Sequence, residues 1–223
     1  MGKFLSFLVI FLFTFSYAQE LKDFSIPKGY EKILETKGDL DKDGKDETVM
    51  VFNTDKIINS ISKGLERRLY ILKNVNGKLK IWKENSNLIF DSKEGFYPES
   101  NELELSIKNN CLIIFQSYFS NSRHTVTSKN TYRFQSGDFY LIGALVQFDD
   151  TCEFNFSSEI NFSTGKVIID DQYSDCDSGY EREIPKNYYK EFTYKIPKLI
   201  KINEYKMGKN EIKIPNSKKS FNF

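Results

Sequence analysis

The sequence predicts a mostly β protein, a single antiparallel β-domain of about ten strands with few or no helices. Three features carry that expectation. Short apolar or alternating runs recur along the chain, and Gly, Asn, Ser and Asp separate them at turn-like spacing. No long amphipathic helix appears, and strand signals do not alternate with helix signals as they do in α/β folds. Aromatic residues reach 15%, mostly Phe and Tyr, which suit pleated, half-buried surfaces.

The first eighteen residues read as an export signal rather than as part of the fold. Lys3 gives a short positive start, Phe4 to Phe15 is almost wholly apolar, and Ser16-Tyr17-Ala18 offers small residues at the −3 and −1 positions. The apolar run is shorter than the ~20 residues a membrane span needs. The expectation is a signal peptide over residues 1–18 and a mature chain over 19–223 that starts at Gln19, is periplasmic or secreted, and has no membrane span. No cysteine follows the cleavage point, which argues against lipid attachment. Losing the signal removes Lys3 and no acid, leaving 31 basic against 31 acidic residues. A neutral chain has no electrostatic footprint for nucleic acid.

From the mature start, residues 19 to 29 form a polar leader broken by Pro27 and Gly29. Tyr30 to Lys37 and Thr48 to Phe52 read as strands on either side of an acidic loop. Thr54 and Asp55 offer a cap for a short helix through Ile57, Ile58 and Ile61 that ends near Gly64, with a long loop as the alternative. Arg68 to Leu72 and Lys78 to Trp82 flank Asn76-Gly77, the strongest hairpin signal in the chain. In Glu102 to Lys108 the alternation is strict, so Leu103, Leu105 and Ile107 face a core. Asn109-Asn110 turns the chain into Cys111 to Tyr118, whose weak alternation predicts burial on both faces. Thr125 to Phe134 and Asp138 to Phe148 flank Ser136-Gly137, with Gly143 marking a bulge or a close approach. Glu153 to Phe162 and Lys166 to Ile169 flank Ser163-Thr164-Gly165. Residues 149 to 183 are acidic and residues 198 to 219 basic, read as two solvated faces that complement each other within the fold, with a basic patch for an acidic partner as the alternative. The end of the chain, from about Asn216, is expected to fray.

Three cysteines in an exported chain imply one bridge and one free thiol, or an intermolecular bond. Cys111 sits in an apolar run and reads as a buried core residue. Cys152 and Cys176 lie in polar, acidic surroundings and are the expected pair. None of the spacings resembles a zinc site.

The chemistry concentrates in Gly38-Asp39-Leu40-Asp41-Lys42-Asp43-Gly44-Lys45-Asp46-Glu47. Carboxylates two residues apart converge when a loop wraps a hard cation, and Gly44 permits the sharp turn. Counted from Asp39, Lys45 at the seventh position offers its carbonyl, and Glu47 at the ninth completes the set. The expected ion is a structural calcium, Ca2+, because the loop offers many oxygens in a flexible arrangement. An EF-hand is excluded: its twelfth position demands Glu and here is Met50, and apolar β-formers follow where a helix is needed. A second acidic cluster, Asp170-Asp171 with Asp175-Cys176-Asp177 and Gly179, has poorer spacing.

Residues 38 to 52 resemble the calcium loops of FG-GAP repeats, the hairpin loops of integrin-type β-propellers. The resemblance implies side-chain ligands at Asp39, Asp41, Asp43 and Glu47. It covers this loop alone, since the loop occurs once and the chain is too short for a full integrin-type propeller. More broadly, this loop, the segment from Tyr132 to Gly143 and the segment from Asn161 to Lys166 together resemble uncharacterised exported β-rich proteins of Gram-negative bacteria, a likeness that implies no activity.

No catalytic residue is assigned. His124 is the only histidine, and neither a nucleophile elbow nor a phosphate loop appears. The leading expectation is a calcium-stabilised binding module for an unknown protein or cell-surface ligand, without catalysis. The alternatives are a hydrolase of extracellular or cell-surface polymer that uses paired carboxylates, and an inhibitor or immunity protein.

Overall fold

The computed structural model describes residues 21–59, 62–176 and 183–223. The export signal, the mature start at Gln19, Ile61, Asp177 and Gly179 lie outside the described residues.

The regular elements of the described chain are almost all antiparallel strands, and within each sheet every strand is hydrogen-bonded to its neighbours in sequence. β1 (Glu31–Gly38), β2 (Glu47–Asn59), β3 (Gly64–Val75) and β4 (Lys78–Asn85) form a four-stranded sheet. A short 3-10 turn at Pro98–Ser100 leads to a seven-stranded sheet. Its members are β5 (Glu102–Lys108), β6 (Cys111–Phe119), β7 (His124–Gln135), β8 (Asp138–Asp150), β9 (Phe154–Asn161), β10 (Lys166–Tyr173) and β11 (Tyr188–Thr193). β12 (Glu211–Lys213) and β13 (Ser220–Asn222) make a terminal hairpin. The tight turns explain this topology. Asn76-Gly77, Asn109-Asn110 and Ser136-Gly137 all adopt positive φ at both positions, the twist that returns a strand directly alongside its neighbour.

One apolar core joins all three sheets. Val49, Val51, Leu69 and Ile71 meet Leu112, Tyr132, Leu141, Ile160 and Val167 of the large sheet, and Ile212 and Phe221 of the terminal hairpin. Each such side chain contributes ~1.5–3 kcal/mol when fully buried. The opposite face of β2 and β3 carries Met50, Phe52, Tyr70 and Leu72, packed against Phe24 from the leader and Tyr30 just before β1. That second layer is why Thr48 to Phe52 shows no alternation. The leader also pairs with the β4 edge: the Phe24 N–H donates to the Leu79 carbonyl and the Ile81 N–H to the Lys22 carbonyl, both at 2.8 Å.

Several expectations need correction. The segment after Thr54 is not a helix: β2 runs on through Asn59 and pairs Ile57 with Leu65. The Thr54 hydroxyl takes the Lys56 N–H at 3.2 Å inside a bulge, where a cap was expected, and β-branched Ile57 and Ile58 favour extended backbone. β6 is buried on one face only. Leu112, Ile114 and Gln116 point inward, while Cys111, Ile113 and Phe115 are half-exposed on the other face. Cys111 is therefore a free but half-buried thiol, not a core residue. The chain end does not fray either: β13 pairs with β12, and Phe221 and Phe223 bury their rings in the core. The acidic and basic segments do meet, through an ion pair between Lys219 and Asp171.

Candidate metal centre

The acidic loop leaves β1 at Gly38 and enters β2 at Glu47, at one end of the main core. Leu40 plugs the loop into that core and is 1% exposed. Gly38 passes so close to β5 that an added Cβ would stand 2.8 Å from Ile107 Cγ2. The Asn110 side-chain amide donates to the Asp39 carbonyl at 2.7 Å. The loop is thus clamped between the β1–β2 hairpin and the β5–β6 turn, and it joins the two large sheets.

Inside the loop, Asp39 organises the backbone. Its Oδ1 accepts the Lys42 N–H at 2.6 Å and its Oδ2 the Gly44 N–H at 3.1 Å. Asp43 Oδ1 accepts the Lys45 N–H at 2.9 Å. Gly44 sits at φ +81°, in the left-handed region that glycine enters without strain. Asp39, Asp41 and Asp43 each present an oxygen within 4.8 Å of the other two, the only such group of three among the described residues. Glu47 stands beside them, 2% exposed, with Oε2 accepting the Leu40 N–H at 2.8 Å. Lys45 is exposed on the outer turn. A concavity of about 210 Å³ opens here, lined by Asp43, Asp46 and Glu47 among others.

One participant was not foreseen from the sequence. Lys73, near the end of β3, places its ammonium against Asp41 and 3.7 Å from both Asp43 and Glu47. The same ammonium lies 4.3 Å from the centre of the Trp82 ring. Trp82 is the unopposed residue of a bulge in β4, since Ile71 faces Lys83 and Leu72 faces Ile81. Its ring packs against Phe134 and Phe139 at 4.6 and 4.8 Å. Burial favours a neutral amine at Lys73, but Asp41, Glu47 and Asp43 outweigh it and raise its pKa. Burial also raises the Glu47 carboxyl, and the neighbouring Asp41 and Asp43 add to that rise against the Leu40 N–H and Lys73. Asp41 Oδ1 is buried with no hydrogen-bond partner. The donor set is all hard oxygen, which suits calcium or magnesium better than a transition metal.

The other residues singled out in the sequence fall elsewhere. Cys152 and Cys176 form a disulfide, with Cα atoms 5.7 Å apart. In the second acidic cluster Asp170 accepts from Gln172 and Asp171 pairs with Lys219, so these two carboxylates are each engaged locally. His124 is not an isolated polar residue. Its Nε2 lies 3.1 Å from Asp150 Oδ2, and its Nδ1 contacts the Asn121 amide at 2.9 Å. Asp150 Oδ1 also accepts from Arg123 at 2.8 Å. Among the described residues, no helix is long and apolar enough to cross a membrane. No protein-family model matches the chain, no curated protein matches it, and no solved structure does.

Proposed function

We propose that this chain is an exported, calcium-stabilised β-domain that acts by binding a protein or cell-surface ligand and performs no chemistry. The convergence of Asp39, Asp41 and Asp43 on one point, with buried Glu47 at its side, carries the metal part of that reading. Side-chain oxygens of these four residues hold the ion, the Lys45 carbonyl joins them, and water completes the six to eight oxygens that calcium takes. The FG-GAP-like spacing of the loop supports the same ligand set. The ion's role is structural, because the loop ties the two large sheets together.

The binding part rests on the half-exposed face of the seven-stranded sheet. One row across it reads Glu104, Phe115, Lys129, Leu145, Glu159, Ile168 and Glu191, each residue paired with the next. Charged and apolar side chains alternate along this row, and Phe115, Leu145 and Ile168 are all half-exposed. A broad mixed face of this kind suits a macromolecular partner better than a small substrate.

Thermal melting of the mature chain in calcium and in chelator tests the metal. At a hundredfold excess over Kd, calcium is expected to add ~2.7 kcal/mol, or roughly 5–10 °C for a domain of this size. Asp41→Ala is expected to erase most of that difference. Superimposable wild-type curves would reduce the loop to an acidic turn.

A further inference from the structure

Lys73 presents a cation to the same carboxylates that the proposed ion uses. We propose that Lys73 is the loop's tethered counter-cation: its ammonium holds the carboxylates together in the ion-free chain, and a divalent cation binds by displacing it. This rests on the calcium reading of the loop, and it makes Lys73 the residue that sets the affinity.

Three observations support the assignment. First, the contacts are many and partly buried. The ammonium touches Asp41, lies 3.7 Å from Asp43 and Glu47, and belongs to a side chain only 21% exposed. A solvent-facing lysine paired with one acid has neither property. Second, the charge is not balanced. Three carboxylates, Asp41, Asp43 and Glu47, face a single ammonium, and Asp39 adds a fourth to the cluster, so a doubly charged ion compensates the cage better than Lys73 does. An ammonium and a divalent ion a few ångströms apart repel strongly in a partly buried site, so one excludes the other. Third, the ammonium leaves an acceptor unused, because Asp41 Oδ1 is buried without a donor. An ion that takes six to eight oxygens satisfies it.

The Trp82 ring gives the displacement its own readout. Trp82 is the only tryptophan in the chain, and the Lys73 ammonium lies 4.3 Å from its centre. An ammonium that leaves this ring changes the field at the indole, so its emission should follow the position of the lysine.

The experiment is a calcium titration of the full mature chain, wild type beside Lys73→Met, read by Trp82 emission and by thermal melting. Methionine keeps a long unbranched stem and removes the charge. Lys73→Met is expected to bind calcium about tenfold tighter than wild type. It is expected to melt lower than wild type in chelator and no lower in saturating calcium. The wild-type Trp82 emission should shift as calcium binds, and the variant's should not. Wild type that binds calcium while Lys73→Met binds no tighter would overturn the assignment of Lys73 and leave the calcium site standing. An equal loss of melting temperature in calcium and chelator would do the same, because it marks a plain packing role. If both proteins ignore calcium, the metal reading falls and displacement falls with it. If Lys73→Met folds only with calcium, the proposal is supported. If it does not fold at all, the wild-type titration decides: calcium binding with unchanged Trp82 emission overturns displacement.

Discussion

Two clusters in this protein gather carboxylates and cations at strand ends, and they are built on opposite principles. At the Asp39–Glu47 loop, three of four clustered carboxylates share one ammonium, and Asp41 Oδ1 is left without a partner. At the end of the β7–β8 hairpin, one carboxylate is over-supplied with donors. Asp150 accepts from Arg123 at 2.8 Å and from the Cys152 and Glu153 N–H groups at 2.9 Å, and it faces His124 at 3.1 Å. Burial pushes the Asp150 carboxyl up, but the Glu153 N–H, the Arg123 guanidinium and the Cys152 N–H outweigh it and bring it down to about 2. The difference separates two ways of holding a turn. The Asp150 knot is complete from its own residues, and the acidic loop is short of positive charge. Only the loop should respond to an added cation.

The largest test of that contrast removes the covalent support of the knot. Cys152 and Cys176 close a loop across a sequence separation of 24. Replacing both by Ser is expected to cost about 3 kcal/mol, equally with calcium and with chelator, as urea denaturation will show. Non-reducing peptide mapping should find this pair joined and Cys111 free. A loss that calcium restores would mean that the two clusters are coupled.

A second test uses pH. The folded Asp150 carboxyl lies below its ordinary value of 3.8, at about 2. Its contribution is therefore fully present above pH ~4 and is lost as pH falls through about 2, where the folded form takes up its proton. Asp150→Asn should lower the urea midpoint at pH 7 and flatten its decline between pH 4 and 2. An unchanged decline would assign the acid sensitivity to other paired carboxylates, such as Glu66 or Asp138, whose pKa values are also lowered.

The smallest test is His124→Ala. Loss of its contacts with Asp150 and with the Phe148 and Phe154 rings, 5.0 and 5.4 Å away, should cost about 1 kcal/mol at neutral pH. It should leave calcium binding untouched. A change in the calcium response after this substitution would break the separation of the two regions.

The sequence disclosed what is local and hid what depends on register. The positive-φ pairs at 76–77, 109–110 and 136–137 are written in short turn motifs, so those hairpins were expected correctly. The three aspartates are two residues apart, so their convergence was legible too. Lys73 was not, because it meets the loop only through the pairing of β2 with β3, and the connection between them reads as helix or loop. His124 shows the same effect at one-residue resolution. Thr131 faces Gly143 while Tyr132 faces Leu141, so Ile142 is an extra residue in β8. That bulge slides the rest of the hairpin by one and brings Asp150, not Asp149, opposite His124. A partner chosen by a bulge cannot be read from spacing. The buried end of the chain escaped notice for a related reason: Phe221 and Phe223 look like a polar tail's last residues until the core they enter has been formed by strands far earlier in the chain.

The strap at residues 22–24 has a consequence in time rather than in space. It lies along β4 and covers backbone groups that would otherwise form an open sheet edge. Chains are made from the N-terminus, so the strap is made before β2, β3 and β4, yet its docking surface exists only after those strands have paired. Until then the β4 edge is free to recruit a strand from another molecule. The interval between pairing of that sheet and return of the strap is the period when crowding of nascent chains is most hazardous. A fusion that weighs down or delays residues 22–24 should lengthen it, and lower the yield of soluble protein without altering the stability of the molecules that finish folding.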